Sequence, residues 1–209
     1  MIPATSSLQQ RRSAETKLLI LEAAIDCLAE IGYSDITTQM IAERASISRG
    51  AMLHHYPTKQ DLIAAVIDYA FFRHIEDFSK AVRALSEEER TRRNIGIELD
   101  WRSYNTREFK AYLELNNAAR TDEALHKLFK EKARRHDRFW RQELIENFPE
   151  WTGDRKKLDL ARRLTQALMS GMMINQDVWE EPETVASLLA FLANLLIDIR
   201  EDRIAFPQV

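Results

Sequence analysis

The stretch ITTQMIAERASISRGAMLHHYPTKQDL, residues 36–62, limits the possible folds of this chain more than any other part of it. Thr38 is placed to cap a short helix. A turn follows at Ser46 and Ile47, and Ser48 is placed to cap a second short helix. A short helix, a turn and a second short helix form the arrangement that inserts its second helix into the major groove of DNA. The stretch therefore predicts a helix-turn-helix.

The rest of the chain indicates further helices. Pro57 ends the second short helix, and Thr58 with Asp61 forms a capping box for the next one. Gly32 is placed as a left-handed cap after the first long helix. Only five glycines and five prolines occur, and no strand pattern is present. The remaining helices are expected at residues 13–31, 58–85, 86–104, 106–119, 122–147, 154–175 and 182–200, after a disordered arm at residues 1–12.

These elements predict an all-α protein with two domains. An N-terminal arm and a three-helix helix-turn-helix DNA-binding domain are expected at residues 1–60. A larger helical domain with a candidate dimerisation surface is expected at residues 61–209. The last two helices of this domain are apolar around much of their circumference, more than a helix covering one core needs, so they are either central to a monomer or packed against a second subunit. A two-fold dimer is favoured because a single reading head has too little interface for specific DNA binding.

The overall charge does not indicate a nucleic-acid partner. The net charge is −3, and residues 1–62 hold six Lys or Arg against seven acids. A DNA-binding function must therefore come from the placement of charge rather than from composition. Basic or titratable side chains near the proposed DNA face are Arg11, Arg12, Arg49, Lys59, His54 and His55.

Signals for catalysis, metals and membranes are missing from the sequence. There is no Gly-rich phosphate loop, no Gly-x-Ser-x-Gly and no His-Glu-x-x-His. Cys27 lies on an apolar helix face, where a buried thiol is expected and not a nucleophile. His54 and His55 are neighbours that point apart on a helix, so they do not form a metal pair. The longest uncharged apolar run, residues 184–197, is shorter than the ~20 residues of a membrane span. We expect no enzymatic activity, no cofactor and a cytoplasmic location.

Three segments resemble the tetracycline-repressor (TetR/AcrR) family of bacterial transcriptional regulators: ILEAAIDCLAEIGY, ITTQMIAERASIS and RGAMLHHYPTKQDLIAAV. The likeness covers about residues 18–66, and the rest of the chain matches only as a set of helices. The resemblance implies a homodimer that binds a palindromic operator in double-stranded DNA. It also implies a repressor whose C-terminal domain binds a small-molecule effector that releases the operator.

The same resemblance makes residues 48–56 the recognition helix. The implied DNA-binding residues are Thr38, Gln39, Arg49, Gly50, Ala51, Leu53, His54, His55 and Lys59. Thr38, His55 and Lys59 would contact phosphates, and the others would face bases or their sugar edges. Arg49 can bind guanine O6 and N7 with two hydrogen bonds, and Gly50 has no side chain to hold the helix away from DNA. The family usually carries Tyr where this chain has Leu53, which keeps an apolar contact and loses a hydroxyl.

Two further sets of residues are hypotheses about the C-terminal domain. The candidate ligand pocket combines aromatic and polar residues: Trp101, Tyr104, Phe109, Tyr112, Asn116, Phe139, Trp140, Met169, Met173 and Gln176. Arg102 and Arg120 would suit an anionic ligand. The candidate dimer interface follows the apolar spacing of the last two helices: Leu164, Leu168, Gly171, Met172, Val185, Leu188, Leu192, Leu195 and Ile199.

Two alternatives stay open at this point. A DNA-binding adaptor or nucleoid protein with the same fold would respond to a protein partner and bind many sites. An all-α enzyme of unrecognised chemistry is more remote. A ligand-controlled repressor differs from both because it binds few operators and releases them when a metabolite binds.

Overall fold

The computed structural model describes residues 4–90, 95–181 and 183–204. Within these ranges the chain forms ten α-helices and one 3-10 helix, with no strand. The α-helices are α1 (Ala4–Ile31), α2 (Thr38–Arg44), α3 (Arg49–His55), α4 (Lys59–Arg83), α5 (Glu87–Arg90), α6 (Ile95–Tyr104), α7 (Arg107–Ala118), α8 (Glu123–Asn147), α9 (Arg155–Asn175) and α10 (Thr184–Arg200), and the 3-10 helix is Pro149–Trp151. The prediction of an all-α fold is confirmed.

The chain divides into two compact units. Unit 1 comprises Met1–Arg73 and Arg107–Arg134, and unit 2 comprises His74–Thr106 and Arg135–Val209. Helices α4 and α8 each contribute residues to both units. The division does not follow the predicted boundary after residue 60, because α7 and the first part of α8 belong to the same unit as the helix-turn-helix. The functional boundary at residue 60 stays a prediction.

Unit 1 has one apolar core that holds α2 and α3 against α1. Its large side chains with almost no solvent exposure include Ile20, Ile25, Leu28, Ile36, Ile41, Met52, Leu62, Ile63, Ile67, Leu115 and Leu125. In α1, Ile25 and Leu28 are three residues apart, as a helix face requires. Cys27 lies in this core with 1% of its surface exposed. Burial raises the pKa of its thiol, and the predicted burial of this cysteine is confirmed.

Unit 2 is built around aromatic side chains and a group of ion pairs. Phe78, Val82, Ile95 and Leu99 form a buried cluster. The ring centroids of Phe78 and Trp140 are 5.0 Å apart in an edge-to-face arrangement, which suits the quadrupoles of both rings. Helices α9 and α10 pack against each other and against α6.

Helix ends differ from the predictions at several places. The predicted disordered arm is wrong for residues 4–12, because α1 begins at Ala4 and not at residue 13. No Gly or Pro interrupts residues 4–31, and Gln, Arg, Leu and Ala favour helix, so the helix continues through the polar segment. The predicted helix at residues 86–104 is described as α5 and α6, and residues 91–94 lie outside the described part of the chain. Residues 1–3 and Pro182, the predicted start of the last helix, lie outside it too.

Candidate functional site

Local capping interactions shape the helix-turn-helix. The hydroxyl of Thr37 accepts a hydrogen bond from the main-chain N–H of Met40 at 3.2 Å and caps α2. The predicted cap, Thr38, is instead the first residue of the helix. Adjacent threonines satisfy the same sequence rule, and only Thr37 has the extended backbone that a cap requires (φ −120°, ψ 155°).

The turn and the start of α3 follow the prediction. Ser46 has a left-handed backbone (φ 54°), which lets the chain reverse between α2 and α3. The Ser48 hydroxyl accepts a hydrogen bond from the Ala51 N–H at 3.1 Å. Thr58 and Asp61 form the predicted capping box, in which the Asp61 carboxylate accepts from the Thr58 N–H at 3.1 Å and the Thr58 hydroxyl accepts from the Asp61 N–H at 3.0 Å. These four hydrogen-bonding residues confirm the sequence interpretation of this stretch.

Helix α3 has one buried face and one free face. Met52 is fully buried and Tyr56, just after the helix, is nearly so. Arg49, Gly50, Leu53 and His54 are exposed. The core of unit 1 therefore holds the buried side of the helix, and these four predicted base-facing residues lie on its outer surface. Ala51, also predicted to face bases, is half-buried. Leu53 is a large apolar side chain that is 39% exposed, which suits a residue that contacts another molecule.

Gly50 has no structural role inside unit 1. A Cβ added to it would meet only the Ser48 hydroxyl, at 3.9 Å, and its φ is not in the left-handed region. Glycine in a helix costs about 0.5–1 kcal/mol relative to alanine. The fold of unit 1 therefore neither needs this glycine nor gains stability from it.

The N-terminal part of α1 lies beside α3. Side chains from both helices line one open groove: Gln9, Gln10, Arg12, Ser13, Thr16, His54 and His55. The rings of His54 and His55 are edge to face at 5.3 Å. Burial lowers the pKa of His55, and the charges of His54 and Lys17 act in the same direction. The proximity of Arg12 to the histidines agrees with the sequence prediction, whereas the helical form of this segment was missed.

Lys59 lies in a different environment from the one predicted. Its ammonium donates hydrogen bonds to the main-chain oxygens of Tyr33 at 3.1 Å and Ile36 at 2.9 Å. It also lies 4.5 Å from the centroid of the Tyr33 ring. Burial lowers its pKa, and Asp122 opposes that change. Two of its three N–H groups therefore hold the loop between α1 and α2, and one remains for the predicted phosphate contact.

The same loop is tied to α7 and to the start of α8. The Tyr33 N–H donates to the Glu114 carboxylate at 2.8 Å, and the Tyr33 hydroxyl donates to Asp122 at 3.2 Å. Gly32 begins the loop with φ 89°, and a Cβ there would lie 3.1 Å from Glu114. This confirms the predicted left-handed cap. The remaining predicted contacts on α2 are Thr38, which is half-buried, and Gln39, which is exposed and donates to Glu43 at 2.9 Å.

Unit 2 contains a cavity of about 480 Å³, a size typical of small-molecule sites. Its wall combines aromatic rings with a few polar and charged groups, among them Phe78, Asp100, Tyr104, Trp140, Arg162 and Arg200. Of the ten predicted pocket residues, Tyr104 and Trp140 line it. Trp101, Phe139, Met169, Met173 and Gln176 belong to unit 2 and are not among its lining residues, and Phe109, Tyr112 and Asn116 belong to unit 1. The pocket set as a whole stays a prediction.

The residues of the predicted dimer interface have mixed exposure. Met172, Leu192 and Ile199 are buried inside unit 2. Six are partly exposed: Leu164, Leu168, Gly171, Val185, Leu188 and Leu195. Three apolar side chains that the spacing argument missed are more exposed: Ile174 at 58%, Val178 at 76% and Phe191 at 65%. They could have been found by asking which apolar residues lie off the buried stripes of α9 and α10.

Two absences hold for the described part of the chain. No helix there is long and apolar enough to cross a bilayer. No group of three or more His, Cys, Asp or Glu side chains in residues 4–90, 95–181 and 183–204 could hold a metal ion.

Sequence comparisons point to transcriptional regulators. The family model described as "Bacterial regulatory proteins, tetR family" matches residues 20–66. The HTH-type transcriptional regulator Rv2912c of Mycobacterium tuberculosis is 29% identical over 194 residues, which cover 90% of this chain and 96% of the relative. The HTH-type transcriptional regulator CymR of Pseudomonas putida is 35% identical over 63 residues, or 30% of this chain and 31% of CymR.

Solved structures agree in fold. A TetR-family transcriptional regulator from Rhodococcus has a TM-score of 0.65 at 17% identity and covers 90% of this chain and 99% of its own. A multidrug binding protein, EbrR, has a TM-score of 0.64 at 16% identity and covers 92% of this chain and 97% of its own. Residues 20–66 therefore match the DNA-binding segment of the bacterial tetR family, and the comparisons together support a DNA-binding transcriptional regulator of the TetR type.

Proposed function

We propose that this regulator is a repressor that binds a palindromic operator as a homodimer and releases it when a small molecule binds. The observation that carries the DNA-binding part is the outer surface of α3. Arg49 and Gly50 are exposed there, while Met52 and Tyr56 fix the helix to the core of unit 1. A helix that is rigid on one side and open on the other suits insertion into a major groove.

Charge placement supports phosphate contact at the edges of this surface. Arg12 and the two histidines share one groove, and Thr38 is in the first turn of α2. The main-chain N–H groups in the first turn of a helix, which favour anions, add to this at α2. Phosphate contacts of this kind position the protein, and α3 then distinguishes the bases.

The apolar surface of the last two helices and of the turn after α9 supports self-association. Ile174, Val178 and Phe191 expose large apolar side chains that are unfavourable in water. A second copy of the chain is the partner that also supplies a second α3. Two recognition helices about 34–36 Å apart can contact two half-sites one helical turn apart on DNA.

The cavity of unit 2 is the proposed effector site. Its volume and its mixture of rings with a few polar groups suit a small organic molecule. Effector binding at this site would lower operator affinity by the ~1–3 kcal/mol that is common for coupled sites.

The test is selection of bound sequences from a random double-stranded DNA pool with the purified protein. A palindromic site with two half-sites is expected, bound by two protein chains. Arg49→Ala is then expected to weaken binding by ~1–3 kcal/mol and to relax the preference at one base pair of each half-site. Arg155→Ala, an exposed arginine at the start of α9, is the matched control and is expected to change neither.

Each other outcome of the selection contradicts a part of the proposal. Many unrelated sites with no common sequence would favour an adaptor or nucleoid protein. A single, non-palindromic half-site bound by one chain would contradict the homodimer. An unchanged base preference in Arg49→Ala would show that α3 is not oriented as proposed.

A further inference from the structure

The cavity of unit 2 has an uneven distribution of charge. Among the described residues its lining contains three acids, Asp100, Glu150 and Glu201, and two bases, Arg162 and Arg200. The two arginines are already engaged by carboxylates. If every group is ionised, the lining therefore carries one negative charge more than positive charges.

Each wall arginine has acidic neighbours of its own. The Arg162 guanidinium is 2.5 Å from the Asp137 carboxylate and 4.0 Å from Asp159. The Arg200 guanidinium is 3.2 Å from Glu201 and 3.6 Å from Glu150. These ion pairs offset both positive charges. The buried Nε and Nη2 atoms of Arg162 have no hydrogen-bond partner among the described residues, so an anion is the competing ligand that the test has to exclude.

Asp100 has no such neighbour in the described ranges. It is 93% buried on α6, and the hydroxyl of Ser103 lies 3.5 Å from its carboxylate, at the long limit for a hydrogen bond. That hydroxyl makes its shorter bond, 2.6 Å, to the main-chain oxygen of Asp100. Burial raises the pKa of Asp100 to about 7. A desolvated carboxyl without a counter-charge is costly for the fold, and a bound cation would remove that cost.

Aromatic rings complete the lining around this carboxyl. Tyr104 is one helical turn after Asp100 on α6, so the two residues share a face. The rings of Phe78 and Trp140 also line the cavity, and their centroids are 5.0 Å apart. Ring faces attract cations through their quadrupoles, and they also bury apolar groups.

We infer that this cavity binds a monovalent organic cation with an apolar body, whose charge is paired with Asp100 and whose body lies against Tyr104, Trp140 and Phe78. The inference depends on the proposed effector function for the role of the ligand. It does not depend on that function for the binding itself. The volume of about 480 Å³ admits a ligand of one or two rings.

Three probes of similar shape separate the possibilities. Phenyltrimethylammonium is the cation, tert-butylbenzene is its neutral isostere, and benzenesulfonate is an anion of similar size. Their binding to the full-length protein in the absence of DNA is measured by titration calorimetry. The cation is expected to bind at least about tenfold more tightly than the other two, because a buried charge pair adds to the apolar contact that all three share.

Variants then assign the effect to one carboxyl. Asp100→Asn keeps the shape of the side chain. It is expected to weaken binding of the cation about tenfold or more and to leave binding of the neutral isostere within about threefold. Asp177→Asn is the matched control, because this exposed acid of unit 2 is outside the cavity lining, and it is expected to change cation binding less than about threefold. Thermal melting of each variant checks folding, and Asp100→Ser is measured in parallel should the amide pack poorly.

The inference is overturned if the anion or the neutral isostere binds best, or if both substitutions at Asp100 leave cation binding unchanged in folded protein. Failure of the proposed function gives a different result. In that case the cation binds through Asp100, yet the affinity for the selected DNA site is the same with and without it.

Discussion

Gly50→Ala should move the stability of the fold and the affinity for DNA in opposite directions. The fold has no use for a glycine here, since a Cβ would meet only the Ser48 hydroxyl at 3.9 Å. Alanine is the better helix former by about 0.5–1 kcal/mol. The substitution is therefore expected to raise the free energy of unfolding by a value toward the lower end of that range, because residue 50 is in the first turn of α3.

The loss of affinity comes from the distance between α3 and the base pairs. In the proposed complex, an added methyl group at residue 50 would hold the helix away from the base pairs and lengthen the two proposed hydrogen bonds of Arg49 to guanine. A good bidentate pair is worth about 1–3 kcal/mol, so Gly50→Ala is expected to weaken specific binding on the order of tenfold or more. The predicted change in binding is larger than the predicted change in stability and opposite in its effect.

Urea unfolding and fluorescence anisotropy with a labelled operator measure the two quantities. Gly153→Ala is the matched control, because a Cβ at Gly153 would meet nothing within 4 Å and the residue lies outside unit 1. The control should leave operator binding within about twofold. Operator binding of Gly50→Ala equal to that of the original chain would refute the close approach of α3, even if stability rose as expected.

Three more predictions concern stability. Lys59→Met should lower the free energy of unfolding by about 1–3 kcal/mol in urea, because two main-chain oxygens lose a charged donor, whereas the exposed Lys17→Met should cost less than about 0.5 kcal/mol. Thr37→Ala should cost about 1 kcal/mol and Thr38→Ala clearly less, because Thr37 makes the capping hydrogen bond; equal losses in urea would contradict the assigned cap. Asp100→Asn should remove one contribution to the pH dependence of the free energy of unfolding. The folded pKa of this carboxyl, about 7, lies above its ordinary value of 3.8. The free energy of unfolding of the original chain should therefore fall by up to about 4 kcal/mol as the pH rises from about 4 to 7. The variant should not show this fall. If the melting temperatures of the two proteins changed in the same way across that pH range, the result would contradict the burial of Asp100.

The sequence was sufficient for most helix caps, which depend on neighbours in the chain. Ser48, Thr58 and Gly32 were assigned correctly because each cap involves atoms within four residues. Thr37 and Thr38 could not be separated, since both have the right side chain and only the backbone angles differ. The helical N-terminal part of α1 was missed because its polar residues show no apolar face.

Long-range contacts explain the remaining differences. The family resemblance assigns Lys59 to a phosphate contact, which stays a prediction. Its hydrogen bonds to main-chain oxygens 23 and 26 residues earlier in the chain are long-range and could not be predicted from local spacing. The cavity is similar: Asp100, Trp140 and Arg162 come from three different helices, and no spacing in the sequence brings them together. Tyr104 and Trp140 were selected because they are large and partly polar, which is a property of composition and not of position.

The burial of the single cysteine gives this protein an internal reporter. Cys27 is 1% exposed and its pKa is raised, so an alkylating reagent can react with it only after the surrounding helices have separated. Under conditions where reclosing is faster than alkylation, the rate of labelling measures the free energy of that opening. Comparing the labelling rate of free protein with the rate of protein bound to operator DNA would give the stabilisation that binding confers on unit 1. The measurement needs no attached dye and no substitution.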